Sequence, residues 1–349
     1  MRTIDANTVY MTQDMIKAAA VDGILSGNLV ADLFMAKGKP WGFGEKYKVN
    51  YKYQKSEAMG WYTGMGTFNV TQQKNLVQMA WTPSSMYSSA TLPYLELAVN
   101  KSKPVMSMEA YQMQSARDDM IDSIGDAFYG DGTSNQCDGL DIIVDDQTVN
   151  ATYAGLSRAT YAGLNADVTS SVGSLELDHI GASIDAATVG SKSPKLIITT
   201  PTIWRAIEDL LFPSVSATYG AAGSSRGMLT RIGEVGAGQA LQGLAGYTAI
   251  NYRGIPIVAD EKCPSGDIWY LNTDVTYWIG LAHPKHGMVN LGSNTIEGVG
   301  NPTPSNHGIA WTGFKEPLNQ DGETGQFILY GQMICEMPRF NSKDEGVTA

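Results

Sequence analysis

The sequence is poor in charged residues, which make up 17% of its 349 positions. Soluble proteins usually carry about 25%, and a free-standing domain keeps charges on about 25–35% of its surface. Interface cores are depleted in charge and enriched in Tyr, Trp and Met, and this chain holds 17 Tyr, 7 Trp and 16 Met. The composition therefore favours a subunit covered by other copies or partners, although a merely neutral enzyme surface would also account for it.

Basic charge, cysteine and long apolar runs are also scarce. The chain has 24 Lys and Arg residues and 35 Asp and Glu residues. The resulting net charge of −11 excludes a general nucleic-acid binder. The sequence contains no run of about 18 apolar residues, which is the length that a membrane span needs. No apolar segment typical of a signal peptide follows the first residues. Three separated cysteines, Cys137, Cys263 and Cys335, form no CxxC motif and fit a reducing, intracellular site of synthesis.

The clearest periodicity in the chain lies between residues 46 and 53. Its apolar positions are Tyr47, Val49, Tyr51 and Tyr53, and the positions between them are Lys46, Lys48, Asn50 and Lys52. This period of two predicts a strand with one aromatic face and one basic face. A glycine-rich turn at 60–66 and a second extended stretch over 67–81 complete a predicted hairpin. An isolated two-stranded hairpin is only marginally stable in water, so this hairpin needs another surface to pack against.

The basic charge is concentrated in the same region. Residues 37–55 hold six lysines and one acid, Glu45, which gives a local charge of +5 on a chain of net −11. Three interpretations remain open. The patch binds nucleic acid, or it is a solvated strand face, or it reaches onto the acidic body of a neighbouring copy, where complementary charge sets the register.

A long helix is predicted from Pro104 to residue 129. Proline is favourable in the first turn, apolar residues recur at spacings of three to five, and Gly130 is a typical helix end. A row of carboxylates, among them Asp122 and Asp126, follows its other side. Such a row can bind a metal, but a solvated helix face is the more frequent case.

Local patterns predict short elements on both sides of this helix. Residues 8–36 have a glycine-broken helical pattern typical of an arm, and residues 212–246 form a long Gly/Ala/Ser-rich loop. The predicted helices are 177–187, capped by Ser174, and 202–211. The predicted strands are 139–143, 195–199, 247–252, 255–259, 268–272 and 277–281, with a hairpin of 311–318 and 326–337 around Asn319-Gln320-Asp321-Gly322.

No motif identifies a catalytic, cofactor or metal site with the context that its chemistry needs. Gly223-Ser224-Ser225-Arg226-Gly227 matches a nucleophile elbow, but that motif needs a strand before it and a helix after it. His283 and His286 have no third metal ligand in view, and the segment 131–135 lacks the acid that closes a calcium loop. We therefore expect no catalytic, cofactor-binding or metal-ligating residue, with a serine hydrolase using Ser225 as the alternative.

Several segments follow one another in an order found in a known family. They are Phe128-Tyr129-Gly130-Asp131-Gly132-Thr133 with Asp138-Gly139-Leu140, then Gly155-Leu156-Ser157-Arg158-Ala159-Thr160-Tyr161, Tyr252-Arg253-Gly254-Ile255-Pro256-Ile257-Val258-Ala259-Asp260 and Ser265-Gly266-Asp267-Ile268-Trp269-Tyr270-Leu271-Asn272. In order and spacing, over roughly residues 30–340, the chain resembles the major capsid proteins of tailed bacteriophages, the fold typified by phage Hong Kong 97.

The resemblance implies an α+β fold with assigned parts. Residues 1–45 would be the N-terminal arm, and residues 46–82 the extended β-hairpin loop that overlaps the adjacent subunit. Residues 83–173 and 286–349 would form the peripheral domain with its spine helix at 104–129, and residues 174–285 the axial domain. The inter-subunit contact residues would be Lys46, Tyr47, Lys48, Val49, Tyr51, Lys52 and Tyr53. Burial of the aromatic face on a neighbour would drive docking, and we expect deletion of residues 46–82 to leave a folded subunit that cannot assemble.

The resemblance also implies a function, which is structural and not enzymatic. Hexameric and pentameric capsomers would form an icosahedral head around double-stranded DNA, without sequence-specific binding and without a cofactor or a membrane. The subunit would be made in the bacterial cytoplasm and reside in the virion, where an acidic wall reduces sticking of DNA. Scaffolding, portal and decoration proteins are candidate partners.

The sequence departs from the family's type member in one respect. The sequence lacks a long N-terminal scaffolding extension, so a separate scaffolding protein or a removed propeptide is expected. Some relatives join lysines of the extended loop to an Asn, but no partner Asn and Glu can be identified here, so no crosslink is predicted. The structural alternative is an encapsulin-like compartment, which shares the fold and would hold a protein cargo in place of a genome.

Overall fold

The structure is a computed structural model that describes residues 29–42, 44–100, 108–211, 229–231, 248–290, 295–296 and 308–348. Most of the predicted N-terminal arm and of the 212–246 loop lies outside these ranges. The α-helices within the described residues are α1 Leu29–Ala36, α2 Tyr94–Asn100, α3 Met108–Tyr129, α4 Leu140–Ile143, α5 Leu177–Ala187 and α6 Pro201–Leu211. None of the helices so described is long and apolar enough to cross a bilayer.

Twenty strands, most of them short, are found in the described ranges. They are β1 Lys39–Pro40, β2 Tyr47–Lys52, β3 Leu76–Trp81, β4 Ser84–Pro93, β5 Thr152–Tyr153, β6 Leu156–Ser157, β7 Asp167–Thr169, β8 Gly173–Ser174, β9 Leu196–Thr199, β10 Leu229–Arg231, β11 Thr248–Tyr252, β12 Ile255–Ala259, β13 Ile268–Leu271, β14 Thr276–Gly280, β15 Val289–Asn290, β16 Thr295–Ile296, β17 Ile309–Trp311, β18 Gly322–Cys335, β19 Ser342–Asp344 and β20 Val347–Thr348.

A five-stranded sheet is built around the 14-residue strand β18. β4 runs antiparallel along it from Pro93, opposite Gly322, to Ser84, opposite Gly331. β14 pairs with residues 331–335 of β18, and β17 pairs with residues 327–329. Helix α3 packs against β4 and β18. Its buried face includes Phe128, whose ring lies 5.4 Å from that of Trp278 on β14. The long helix is thus confirmed over its described part, because apolar side chains return to the sheet every turn.

A seven-stranded sheet has the order β10-β11-β12-β9-β13-β19-β7. β9 lies at its centre, and all four of its residues are buried, as expected of a short strand with neighbours on both sides. β9 is parallel to β12 and antiparallel to β13. Helix α5 packs against β13 and β19, and α6 packs against β12.

Sheet membership does not follow the predicted domain boundaries. β7 and β19, which fall in the predicted peripheral domain, belong to the seven-stranded sheet, because β19 pairs with the free edge of β13 and β7 pairs with β19. β14, which falls in the predicted axial domain (174–285), belongs to the five-stranded sheet. The division into two domains remains a prediction, and these strands lie across its boundaries.

Two local predictions are wrong. Residues 140–143 form the helical turn α4 and not a strand, since the backbone N–H groups of Ile143 and Val144 bond to the carbonyls four residues earlier. Ser174 does not cap α5 because it lies in β8, paired in parallel with β20. Helix α5 instead begins after Glu176, which is extended and makes no side-chain cap hydrogen bond.

Gly139 lies against the end of α3. A Cβ added there would be 2.1 Å from the carbonyl oxygen of Gly130 and 2.7 Å from that of Ala127. We expect Gly139→Ala to lower the free energy of unfolding by about 1–3 kcal/mol, because the crowded backbone has to shift. Urea unfolding measures this, with Gly60→Ala as the matched control, since nothing lies within 4 Å of a Cβ added at Gly60. Equal stability of the two variants would contradict the close approach.

A buried ion pair fixes the segment between α4 and β7. Arg158 and Asp145 are 0% and 1% exposed, and the Arg158 Nε lies 3.7 Å from the Asp145 Oδ2. The guanidinium also donates hydrogen bonds to the backbone carbonyls of Ile142, Asp145 and Leu164. One side chain therefore joins the end of α4 to the backbone at Asp145 and at Leu164.

The surroundings of Asp145 favour its ionised form. Burial raises its pKa, but the backbone N–H groups of Val149 and Asn150, each at 3.0 Å, and the charge of Arg158 outweigh burial, so the pKa is lowered. A carboxyl with a lower pKa in the folded state contributes stability that is complete above its unfolded pKa, about 3.9, and is lost as the pH falls through the folded value.

This shift predicts a defined loss of stability in acid. The wild type should lose stability below about pH 4 more steeply than Asp145→Asn, which cannot titrate at this position. Urea unfolding at a series of pH values measures the two slopes. Asp119→Asn, at an exposed position on α3, is the control and should follow the wild type. Parallel curves for the wild type and Asp145→Asn would contradict this account of the carboxylate.

Candidate assembly surfaces

Strands β2 and β3 form the base of a hairpin. Their antiparallel register runs from Tyr47 opposite Trp81 to Lys52 opposite Leu76. Along β2 the buried or half-buried positions alternate with exposed ones, so the predicted period of two is confirmed. The second strand is shorter than predicted, because pairing ends at Leu76 and residues 53–75 form no helix or strand.

The aromatic face of β2 is covered by the chain's own body. The Tyr47 ring lies 5.8 Å from the ring of Trp41 and 6.4 Å from that of Trp81, and Trp41 and Trp81 are both buried. Met79, opposite Val49 on β3, is also buried. The base of the hairpin therefore belongs to the core of the subunit.

The distal half of the same face is covered in the same way. Tyr51 is buried, and a Cβ added at Gly163 would lie 2.1 Å from its hydroxyl oxygen. Tyr53 meets the ring of Tyr161 edge-on at 5.1 Å. The expectation that burial of this face on a neighbour drives docking is wrong, because the segment around Gly163 already covers it. The wider assignment of residues 46–53 to an inter-subunit contact stays a prediction, and the exposed side chains in this range are Lys46, Lys48, Asn50 and Lys52.

The other face of the hairpin is basic and open. Lys46, Lys48 and Lys52 are exposed, and so are Lys55 and Lys74 farther along the hairpin. None of these five forms an ion pair with an acid among the described residues.

The loop beyond the paired strands exposes many large apolar side chains. Trp61 and Met65 are fully exposed at 106% and 105%. The other exposed members of this set, called the apolar tip below, are Met59, Tyr62, Phe68 and Val70. These exposed apolar side chains share one loop, and the rings of Tyr62 and Phe68 lie 4.8 Å apart, which is typical of an interaction site. The sequence reasoning missed the tip because the glycines at 60–66 were interpreted only as a turn.

A second apolar surface lies where the β4–β18 ladder ends. The backbone N–H of Tyr94, the first residue of α2, donates to the carbonyl of Asp321 at 3.3 Å, which ties α2 to the turn before β18. Leu95 and Val99 are 73% and 76% exposed and are four residues apart, so they lie on one side of α2. Leu318, in the adjoining turn, is fully exposed.

The segments that form this second surface are rich in carboxylates. Partial burial raises the pKa of Tyr94, and the charges of Glu316, Glu323 and Asp321 raise it further. Glu323 lies opposite Leu92 on β4, and Glu316 follows Lys315, whose backbone bonds to Thr324. Glu96 on α2 adds a fourth acid, and Lys315 is the base beside them.

The candidate metal and catalytic groups have structural partners. The His283 Nδ1 accepts hydrogen bonds from the backbone N–H groups of Lys285 and His286 at 3.1 and 3.2 Å. In the carboxylate row of α3, Asp122 and Asp126 each lie 2.8 Å from the Lys262 Nζ. Over the described ranges, no group of three His, Cys, Asp or Glu is placed to hold a metal ion.

The remaining motifs give no site in the described residues. Asp131 accepts the N–H of Thr133 at 3.2 Å and so caps a short turn. The three cysteines are free and buried, and burial raises the pKa of Cys137 to about 12 and that of Cys335 to about 11, so neither is a ready nucleophile. The 223–227 motif with Ser225 lies outside the described residues.

Comparison with known proteins shows the fold. No family model matches the sequence, and no curated protein matches it. Among solved structures, the capsid of cyanophage A-1(L) is 14% identical with a TM-score of 0.67, and the alignment covers 97% of this chain and 98% of that one. The capsid of a native GTA particle is 7% identical with a TM-score of 0.62, covering 98% of both chains.

An encapsulin is also similar. The holo-SrpI encapsulin complex from Synechococcus elongatus is 13% identical with a TM-score of 0.56, and the alignment covers 99% of this chain and 96% of that one. At such identities the similarity concerns the fold alone. The chain thus has the α+β fold of phage capsid proteins over nearly its whole length, which confirms the resemblance to the Hong Kong 97 type.

Proposed function

We propose that this chain, which has the fold of tailed-phage capsid proteins, is a major capsid protein whose copies assemble into an icosahedral head around double-stranded DNA. The observation that carries the proposal is the apolar tip, with Trp61 and Met65 fully exposed. A lone soluble subunit rarely exposes a large contiguous apolar patch. A closed shell supplies the neighbour that would cover it.

The construction of the hairpin supports this function. Its base is fixed by the buried Tyr51, Met79 and Trp81, so the tip is presented from a firm support. Burying the tip on another copy removes apolar area from water at about 25 cal/mol per Å². The exposed lysines add orientation, because complementary charge sets register and partner choice more than affinity.

The proposal has finer parts, which the resemblance to the family suggests. Hexameric and pentameric capsomers, assembly in the bacterial cytoplasm, and partnership with scaffolding, portal and decoration proteins belong to it. The genome would be enclosed without sequence-specific contacts, since the chain has a net charge of −11 and an acidic wall does not attract phosphates. The role is structural and needs no catalytic residue.

Electron microscopy of the purified full-length chain tests the function. The protein would be examined over a range of protein and salt concentrations, with and without a co-expressed scaffold. We expect closed shells or ring-shaped capsomers of uniform size. Monomers under every condition, shown by light scattering on the same samples, would contradict the proposal.

An encapsulin-like compartment is the second candidate. The similarity to the holo-SrpI encapsulin over 99% of this chain favours it. The content of the particles separates the two functions. Nuclease-protected double-stranded DNA supports the capsid, whereas a co-purifying protein cargo inside particles free of nucleic acid supports the compartment.

A further inference from the structure

We propose that a cleft between helix α3 and strand β4 binds a small amphipathic amine, with its apolar body in an inner chamber and its ammonium group on Asp138. The cleft consists of two adjoining cavities of about 520 Å³ and 400 Å³. Ser84, Ser85, Asn135 and Gln136 line both of them, so one molecule can extend from the first cavity into the second. The site is separate from the apolar tip and does not depend on the proposed function.

The larger cavity, called the apolar chamber below, has a wall of core side chains. Ile124 of α3, Trp278 of β14 and Leu329 of β18 contribute to this wall, and all three are buried. Polar side chains lie at the mouth of the chamber, where Ser85 and Ser123 are exposed. Binding pockets for small molecules typically have volumes of about 300–1,000 Å³, largely apolar walls and a few polar groups. The chamber therefore suits the hydrocarbon body of a small molecule.

The smaller cavity, called the polar pocket below, contains one carboxylate. Asp138 and Gln332 are part of its lining, and the backbone N–H of Asp138 donates to the Gln332 Oε1 at 3.3 Å. Burial raises the pKa of Asp138 more than its contact with Gln332 lowers it. In the part of the chain that the structure describes, Asp138 forms no ion pair with a Lys, Arg or His. Its carboxylate is thus partly desolvated and open to a cation from the pocket.

The lining of the cleft favours a positively charged ligand. Among the described residues that line the two cavities, Asp138 is the one charged side chain, and none is Lys, Arg or His. An anion would meet a like charge, and a neutral molecule would leave the desolvated carboxylate without a compensating partner. An ammonium group would form a charge-assisted hydrogen bond, which is about twice as strong as a neutral one. Charge complementarity therefore identifies the ligand as an amine.

The walls of the cleft are held by hydrogen bonds of the protein itself. The Ser84 Oγ donates to the carbonyl of Gly331 at 2.7 Å, which fixes the start of β4 on β18. On the opposite wall, the backbone N–H of Gln136 bonds to the carbonyl of Thr133 at 3.2 Å and closes the turn that precedes Asp138. A preorganised site loses little conformational entropy on binding. A ligand that contacts α3, β4 and β18 together should also stabilise the folded subunit by mass action.

Three probes with the same apolar body test the preference for positive charge. They are 4-phenylbutylamine, 4-phenylbutan-1-ol and 4-phenylbutyrate, and each is titrated into the purified full-length chain by isothermal titration calorimetry. We expect the Kd of the amine to be at least about tenfold lower than that of the alcohol, because only the amine forms the charge-assisted bond. The carboxylate probe should show no measurable binding, and the amine alone should raise the melting temperature clearly.

Two substitutions in the cleft and one outside it locate the binding. Asp138→Asn keeps the backbone N–H that bonds to Gln332 and should weaken amine binding about tenfold, while alcohol binding stays within about twofold of the wild type. Ser123→Trp at the mouth of the apolar chamber should weaken binding of both probes about tenfold, because the indole occupies their space. Asp119→Asn, at an exposed position on α3 outside the cleft, removes the same charge and should bind both probes normally. Circular dichroism establishes that every variant is folded.

The site is overturned by any of three results. They are equal affinities of the wild type for the amine and the alcohol, amine binding that Asp138→Asn or Ser123→Trp leaves unchanged, and amine binding that Asp119→Asn weakens as much as Asp138→Asn does. The last result would identify a general attraction of cations to an acidic chain. None of these results would affect the proposed shell function, which is tested by assembly.

Discussion

Replacing residues 55–73 by an Asn-Gly turn is expected to leave a folded subunit that forms no shells. The hairpin should stay closed, because the backbone N–H of Tyr53 bonds to the carbonyl of Asn75 at 3.2 Å and the Tyr53 hydroxyl donates to the carbonyl of Lys74 at 2.7 Å. Asn-Gly is the preferred two-residue hairpin turn. The excised segment carries the whole apolar tip, so the surface expected to hold subunits together disappears.

Electron microscopy and sedimentation velocity measure the loss of assembly, and thermal unfolding measures the fold. The shortened chain should unfold within about 2 °C of the wild-type subunit, since the removed side chains lie outside the core. Trp61→Ser with Met65→Ser keeps the loop length and should reduce assembly about tenfold or more, as expected for anchors of an interface. If the shortened chain formed shells at the protein concentration at which the wild type does, the proposed role of the apolar tip would be wrong.

The excision has to be confined to the loop. Deleting the entire hairpin, residues 46–82, was expected from the sequence to leave a folded subunit. The structure corrects that expectation, because Met79 and Trp81 are only 1% and 2% exposed and Tyr51 is buried beside them. Loss of these side chains would remove part of the hydrophobic core and destabilise the subunit. A failure of that variant to assemble would then reflect unfolding and not the loss of a contact surface.

Replacing Arg158 by methionine is expected to cause the largest loss of stability of any single substitution considered. Removing one member of a buried ion pair costs about 3–5 kcal/mol, because the other charge is left uncompensated. Here Asp145 would lose its partner, and the backbone carbonyls of Ile142 and Leu164 would lose their donors. A buried acceptor without a donor adds its own desolvation cost.

Urea unfolding of the subunit measures this effect. Arg158→Lys should recover only part of the stability, since an ammonium group cannot reproduce the planar fork of the guanidinium. Arg253→Met is the matched control, because Arg253 pairs with Asp185 at 2.8 Å while both side chains remain largely exposed. That variant should lose far less stability than Arg158→Met, because exposed ion pairs contribute little. Similar losses for Arg158→Met and Arg253→Met would refute the importance of burial.

Elements with a strong local period could be predicted from the sequence. The alternation between residues 46 and 53 defined β2, and the apolar spacing up to Gly130 defined α3, because both signals lie within a few neighbouring residues. The short apolar run at 140–143 was misassigned, since four buried residues fit a strand or a helical turn equally well. Only its backbone bonds to residues 139 and 140 decide between them.

Features that depend on distant contacts could not be predicted. Tyr51 is covered by Gly163, more than a hundred residues away, so the sequence could not show that the aromatic face was already buried. Arg158 was noticed only as part of a motif, and its contact with Asp145 depends on tertiary folding. The apolar tip was visible as Trp61 and Met65 among glycines, but its exposure became evident only once the buried base was known.

A cryo-EM map of particles assembled from the wild-type chain tests the central claim most directly. We expect a closed shell in which Trp61 and Met65 of each copy are buried against a neighbouring copy. A shell in which residues 59–70 project into solvent without contacting another subunit would contradict it, and so would a homogeneous monomer that never yields particles.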